Sequence, residues 1–353
     1  MTNEETSSLL GACPLPLQDF TEVLLGHGSG GKLTADLIER VFLPAFRNPY
    51  LEALDDQAVI QINGVQLAFT TDSFVVTPVF FPGGDIGSLA VNGTVNDLAM
   101  SGARPLYLSA GFILEEGFPM SDLQTIVRSM RAACARASVM LVTGDTKVVN
   151  RGSADKIFIN TSGIGIVERE IRPAVDRAKP SDVIIVSGTV ADHGMAIMAA
   201  RDELELESGI KSDTTALHGL VHAMLDASPE IHCLRDPTRG GIATTLQDIA
   251  RQSHVGILLD EHRIPIKEEV KGLCELLGLD ALYVANEGKL VAIVDREAAQ
   301  AVLSRMREHP DGTEACIIGE VVDEHPGMVV MRTAIGGMRM VDVMLGEQLP
   351  RIC

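Results

Sequence analysis

Four groups of residues have the types and spacing to do chemistry. The first is a glycine loop, Gly26-His27-Gly28-Ser29-Gly30-Gly31-Lys32. Gly26, Gly31 and Lys32 almost spell a P-loop, but Leu33 stands where a Ser or Thr hydroxyl should hold magnesium. Three uses stay open: a P-loop, a plain hinge, or another phosphate-contacting loop whose consecutive glycines expose N–H groups to anions. The second group is acidic. Asp55 and Asp56 precede a hairpin, and Asp72 lies near the end of its second strand. Asp97 sits in the apolar run Val91–Met100, and Asp145 precedes Thr146 and Lys147 at a strand end. An ionised carboxylate among apolar neighbours is costly unless paired or metal-bound. Together Asp56, Asp72, Asp97 and Asp145 offer magnesium the oxygen ligands it prefers and a way to bridge phosphates. The bland alternative is a set of solvated turn acids.

The third group lies in the second half of the chain. Arg235-Asp236-Pro237-Thr238-Arg239-Gly240-Gly241 opens a helix, a place suited to anions. Ala285-Asn286-Glu287-Gly288-Lys289 falls between two strands, where an ordinary turn would serve as well. His218 and His222 have metal-ligand spacing, but without a third ligand they read as solvated helix residues. Cys13, Cys134, Cys233, Cys274 and Cys316 read as small buried hydrophobes. The fourth group is Cys353 alone, the final residue. Its own carboxylate discourages the thiol from ionising, and Arg351 is placed to offset that. Either it ends a frayed tail, or it swings a sulfur-bound group into a site.

These residues need elements to position them. The pattern predicts a short strand at Thr21–Leu25 and a helix over Leu33–Phe46. A hairpin follows over Ala58–Ile62 and Val65–Thr71, turned at Asn63-Gly64, where type I′ geometry needs positive φ. Gly83–Ser101 is a loop and then a helix. Next come strand Leu106–Leu114, helix Met120–Ser138 and strands Val139–Val142 and Lys156–Val167. This half is α+β with a mixed sheet. Arg169–Ser181, carrying two prolines, is the linker. Beyond it, strands at 183–187, 256–259, 282–285, 290–294, 317–322, 328–332 and 338–343 accompany helices near 195–204, 214–226, 241–252, 268–277 and 296–308. The division is a lead-in over 1–20, one domain over 21–170, a second over 171–345, and a mobile arm over 346–353. Pro350 bars a helix in the arm, whose eight residues reach roughly 25 Å.

Composition excludes several classes. The 353 residues are 46% hydrophobic and 22% charged, too apolar for disorder, and two domains are the default at this length. A net charge of −19, with 48 acids against 29 bases, argues against nucleic acid as a partner. With no Trp and 4% aromatics, base-stacking platforms are few. No apolar run approaches the roughly eighteen residues of a membrane span. The first base is Lys32 and the six cysteines form no C-x-x-C pair, so a reduced, cytoplasmic setting is expected.

In combination the motifs resemble the HypE family of hydrogenase maturation factors, the carbamoyl dehydratases of the nickel–iron pathway. The residues that carry the resemblance are HGSGG at 27–31, FFPGGDIG at 80–87, GTVNDLA at 93–99 and FILEEG at 112–117. Further motifs are VTGDTKVV at 142–149, INTSGIG at 159–165, SGTVADHG at 187–194, DPTRGG, ANEGKL and the terminal PRIC. The match runs in order from about residue 21 and no motif departs from the family pattern. The resemblance implies an AIR synthase-like two-domain fold: an α+β N-terminal domain forming a β-barrel across a homodimer, then an α/β C-terminal domain. It implies ATP and magnesium on Asp56, Asp72, Asp97 and Asp145, with Gly28, Gly30, Gly31, Asn96, Thr146 and Arg239 among the nucleotide contacts. It further implies that Cys353 is carbamoylated by a transferase, HypF, and that ATP-dependent dehydration leaves a thiocyanate. Glu287 and Lys147 match the residues proposed in the family for proton transfer. The cyano group then passes to iron on a HypC–HypD scaffold complex. Two rivals remain: a selenophosphate synthetase-like enzyme, disfavoured because the glycine loop holds Ser29 and no Cys, and a non-catalytic carrier relaying a group on Cys353.

Overall fold

Asn63 (φ 50°) and Gly64 (φ 84°) make the expected tight turn, joining β1 (Ala58–Ile62) to β2 (Val65–Phe74). The structure is a computed structural model describing residues 20–169, 173–201, 208–344, 349 and 351–353. Before the hairpin, α1 (Lys32–Leu37) runs through a π-helical stretch (Ile38–Phe42) into α2 (Leu43–Phe46). After it come a small ribbon, β3 (Phe80–Phe81) and β4 (Gly84–Asp85), and then α3 (Ile86–Met100). Asp85 caps α3: its carboxylate accepts from the N–H groups of Gly87 (2.7 Å) and Ser88 (3.0 Å), while Ser88 Oγ accepts from Asp85 N–H. β5 (Arg104–Glu115), α4 (Met120–Arg136), β6 (Met140–Val149) and β7 (Ile157–Val167) complete this half.

The first sheet has the order β1-β2-β7-β5-β6, antiparallel except for β5 with β6. Alternation along the strands gives it two unlike faces. Phe74, Leu108 and Ile159 point inward onto Ile86, Leu89 and Ile126 of α3 and α4. Phe69, Tyr107, Ile113 and Ile164 stand exposed on the outer face. Almost every residue of α3 is buried, so it is a helix enclosed on all sides and not one with a wet face.

The second half alternates strands and helices. In order they are β8 (Val183–Val186), α5 (Asp192–Ala199), α6 (His218–Ala227), β9 (Ile231–Arg235), α7 (Gly241–Gln252), β10 (Gly256–Asp260), α8 (Glu268–Leu277), β11 (Val291–Val294), α9 (Ala299–Glu308), β12 (Cys316–Val322), β13 (Val329–Arg332) and β14 (Met338–Val341). The sheet order is β14-β13-β10-β12-β8-β11-β9, and only β10 with β13 is parallel. Both faces are covered. Ile184 and Val186 pack with Ile242 and Leu246 of α7, whereas Val183 and Ile185 pack with Leu220 of α6 and Val302 of α9. That is why β8 and β11 read as unbroken apolar runs.

Several expectations need correction. Thr21–Leu25 is not a strand; Leu25–Gly28 is a 3₁₀ turn, which removes the strand a P-loop requires. Leu282–Ala285 is not a strand either, because the Asp280 carboxylate accepts from Leu282 N–H at 3.0 Å and sets a 3₁₀ turn. β9 went unanticipated. Its His232 is buried against Asp182 at 2.7 Å, a partner 50 residues away. Half of the proposed arm, residues 346–348 and 350, lies outside the described residues. Its described end is docked, with Ile352 and Cys353 buried in the first domain's core cluster. His218 and His222 are half-buried, not solvated, and burial lowers both pKa values. Cys316 is only partly buried, Cys13 lies outside the described residues, and the other three internal cysteines are buried as expected. Among the described residues no helix is long and apolar enough to cross a membrane.

Candidate active site

The inner face of the first sheet, the N-terminal end of α7 and the end of the chain converge on one group of acids, of which Asp236 and Glu287 are buried and Asp56, Asp72 and Asp97 partly so. Asp56 enters just before β1, and Arg235 Nε lies 2.8 Å from its Oδ2 without the alignment of a hydrogen bond. Thr70 Oγ1 lies 2.8 Å from Asp97 Oδ2 and 2.9 Å from the Asp56 carbonyl, tying β2, α3 and the Asp56 loop together. Asp72 faces Arg239, whose Nη2 stands 3.8 Å from Oδ1. Glu287 is held by its backbone: its N–H donates to Asp213 Oδ1 (3.0 Å), while its carboxylate Oε1 is buried without a hydrogen-bond partner. Asn286 locks this loop to the neighbouring one, donating to the Pro237 carbonyl and accepting from Ala191 N–H.

The electrostatics follow from crowding. Burial pushes Asp97 well above the carboxylate range, and Asp236, Asp72 and Asp56 push it further. Glu287 is driven up by burial and then by Asp72, Asp236 and Asp213. Asp56 rises to about 6 and Asp236 to about 8, burial being the main cause in each. Arg235, Arg239 and Lys289, which pairs with Asp213 at 3.3 Å, do not balance this many acids. The site therefore suits a cation, and Glu287 Oε1 is a buried oxygen without a hydrogen bond, while Asp56 Oδ2 already faces Arg235. Among the described residues no three His, Cys, Asp or Glu groups converge as a metal cage. Magnesium, which takes one or two carboxylates plus waters and phosphates, fits such a set.

Cys353 completes the arrangement. The Val75 N–H donates to its carbonyl at 3.0 Å, and its thiol is pushed up to about 12, chiefly by burial. The opposing pull comes from Arg239 and not from the expected Arg351, which is engaged by Asp155. Glu287 and Asp72 raise the thiol further, so thiol, base candidate and acids lie within electrostatic reach of one another. A cavity of ≈ 210 Å³ opens here, lined by Gly28, Ser29, Gly31, Arg239, Arg351 and Cys353 among others. Gly30 (φ +78°) abuts Arg239 so closely that a Cβ would meet the arginine carbonyl at 2.9 Å. The glycine loop is thus stitched to the second domain.

Some expected residues lie elsewhere. Asp145 and Lys147 pair with each other at 2.6 Å, both well exposed on edge strand β6, and that bond draws the Asp145 pKa down. Asp145 shares its register with Gly111 and Asn160 on the outer face, opposite to Asp72. Three strand spacings put it about 14 Å across the sheet. Thr146 is exposed beside it. Asn96 is buried as a domain clasp: Nδ2 donates to the Thr215 and Glu287 carbonyls and Oδ1 accepts from Leu217 N–H. Asp236, Arg235 and Asp213 were missed as members of the cluster. Asp236 was visible only as part of a helix-opening motif.

With this geometry in place, the similarities to other proteins fall into line. Residues 54–167 match the AIR synthase related protein N-terminal domain and residues 179–331 its C-terminal domain. Carbamoyl dehydratase HypE of Azotobacter vinelandii is 56% identical over 93% of this chain and 96% of its own. Among solved structures, a HypE–HypF complex aligns with TM-score 0.83 at 50% identity, covering 87% of this chain and 99% of that one. HypE in complex with ATP aligns with TM-score 0.79 at 49% identity, covering 94% and 100%.

Proposed function

The chain belongs to the HypE family of carbamoyl dehydratases, with the two-domain AIR synthase-related fold, and from that premise we propose how its site works. The substrate is an S-carbamoyl group on Cys353, donated by HypF, the protein with which a 50% identical relative forms a complex. The carboxamide oxygen takes the terminal phosphoryl group of ATP, leaving ADP. The two N–H protons are removed, the C–O bond breaks, and inorganic phosphate departs with the former amide oxygen. A thiocyanate remains on Sγ, and the elements of water have left in phosphate. Amide oxygen is a poor leaving group and phosphorylation makes it a good one.

Glu287 is the base. Burial and the neighbouring acids raise its pKa, which makes its carboxylate a stronger base than an ordinary one, and its unpartnered Oε1 is free to accept a proton. Arg239 balances charge developing on phosphate and stays protonated beside Cys353 and Asp72. One or two carboxylates at a time from Asp56, Asp72 and Asp97 would hold magnesium, whose charge admits polyphosphate to an acidic pocket. Gly28 and Gly31, which line the cavity, face the nucleotide, while Gly30 packs against Arg239. Asp145, Thr146 and Lys147 act only after a second copy covers the exposed outer face, where Phe69, Tyr107, Ile113 and Ile164 await a partner. That second copy forms the homodimer, and the HypC–HypD complex accepts the cyano group. Between stations the terminal arm moves.

The observation that carries this reading is the burial of Cys353 beside the Asp–Glu cluster and Glu287. The test is the mass of the C-terminal peptide after HypF and carbamoyl phosphate, before and after magnesium and ATP. Loss of one water, absent in Glu287→Ala, supports it. A carbamoyl adduct that survives ATP unchanged refutes it and leaves Cys353 as a carrier.

A further inference from the structure

The end of the chain is held by two kinds of contact. The backbone contacts are indifferent to sequence: Thr77 N–H donates to the Arg351 carbonyl at 3.1 Å, and Val75 N–H to Cys353. The side-chain contacts are specific. Arg351 Nη1 bonds Asp155 in the turn between β6 and β7, its Nε donates to the Val75 carbonyl at 3.0 Å, and its guanidinium lies 5.8 Å from the centre of the Phe158 ring. Arg351 also has φ 54°, a left-handed conformation that an untethered arginine rarely adopts. Something must hold it there.

One residue further on, the Ile352 carbonyl meets His193 on α5 at 2.9 Å. The ring has a definite orientation. The Ile352 carbonyl can only accept, so Nε2 carries the proton and donates to it. In the neutral ring Nδ1 then accepts from Ser212 Oγ, 2.8 Å away, which itself accepts from Thr214 N–H at 3.1 Å. His193 is fully buried, edge-on to Phe81.

We propose that Asp155 and His193 are positioning residues for the reaction: Asp155 an outer clasp on Arg351, His193 an inner pin on Ile352, together setting how long the terminal cysteine stays docked. They come from different domains, so the docked end bridges both. Asp155 is half exposed and can exchange its partner with solvent, whereas His193 acts only once the end is inside. The proposal rests on the dehydratase reading for its kinetic consequence alone. A loosened clasp leaves more of the chain end outside, where a donor reaches it, and less inside, where dehydration occurs.

The test reads docking directly. The intact protein is treated with iodoacetamide and labelling is followed peptide by peptide, so Cys353 is separated from the other cysteines. Alkylation needs undocking and its rate follows the open population. Asp155→Ala speeds Cys353 labelling about fivefold, the scale of a half-exposed ion pair, without moving the melting temperature. His193→Phe speeds it about tenfold by losing a buried donor, and His193→Gln, which keeps a donor, restores most of the protection. Asp155→Glu, which keeps the carboxylate, also returns most of the protection. In the carbamoyl assay Asp155→Ala slows water loss without slowing carbamoylation. A wild-type labelling rate in folded Asp155→Ala, or an Asp155→Glu that labels as fast as Asp155→Ala, overturns the clasp. If no water is lost even in the wild type while labelling behaves as stated, the dehydratase reading falls and the clasp stands.

Discussion

Asp97 and Asp145 both stand among the candidate metal positions, yet their surroundings are opposite. Asp97 lies in an enclosed helix among Asp56, Asp72 and Asp236, and burial drives its pKa upward. Asp145 sits on an open sheet edge, where Lys147 draws its pKa down. The same side chain is thus a strained acid in want of a cation in one place and a solvated ion pair in the other. What separates them is the sheet: one face is closed by α3 and the second domain, the other is open. The first region is a crowded acidic site that suits a cation, and the second is an exposed ion pair on an open face.

The comparison breaks first at Glu287. Glu287→Gln lowers water loss from the carbamoyl peptide by about 10²–10⁴, as removal of a positioned base does, while Cys353 stays as slow to alkylate as in wild type. Fast alkylation would mean that Glu287 serves the fold instead. Next, Lys147→Ala lowers turnover about 10²-fold although the residue is remote from the acids within one protomer. Mixing it with Cys353→Ala, itself inactive, restores activity if Lys147 works on a second copy's cysteine; a silent mixture would confine each site to its own chain.

Smaller effects sharpen the contrast. Asn96→Ala leaves three buried groups without partners and costs about 2–4 kcal/mol of stability, read by denaturant unfolding; an unchanged midpoint would return Asn96 to the nucleotide. The last prediction concerns pH. Asp56 (about 6) and Asp236 (about 8) lie above ordinary carboxylates, so their stabilising contribution is full below the unfolded pKa and is lost as pH rises through those values. The metal-free protein therefore loses about 1 kcal/mol or more on that climb, and magnesium flattens the trend. A melting temperature that increases with pH in the absence of metal would contradict the clustering of these acids.

Much of this was legible in the residues. The Asn63-Gly64 turn announces itself by needing positive φ, and the apolar runs of β8 and β11 by being covered on two faces. β9 hid because His232 and Arg235 are polar, and the Asp182 and Asp56 that pair with them lie far away in the chain. In the site, Asp56, Asp72, Asp97, Glu287, Arg239 and Cys353 do assemble. Which face of the sheet Asp145 and Lys147 occupy was not readable, because a one-residue difference in strand phase decides it. Nor was the role of Asn96, whose partners Thr215, Leu217 and Glu287 all come from the other domain.

The most direct measurement follows one oxygen atom. Cys353 is carbamoylated with a heavy-oxygen label on the carboxamide, magnesium and ATP are added, and the released phosphate is weighed. Activation at the amide oxygen predicts one labelled oxygen in each phosphate formed with a thiocyanate. Unlabelled phosphate alongside thiocyanate would contradict it, since the oxygen would then have left by another route.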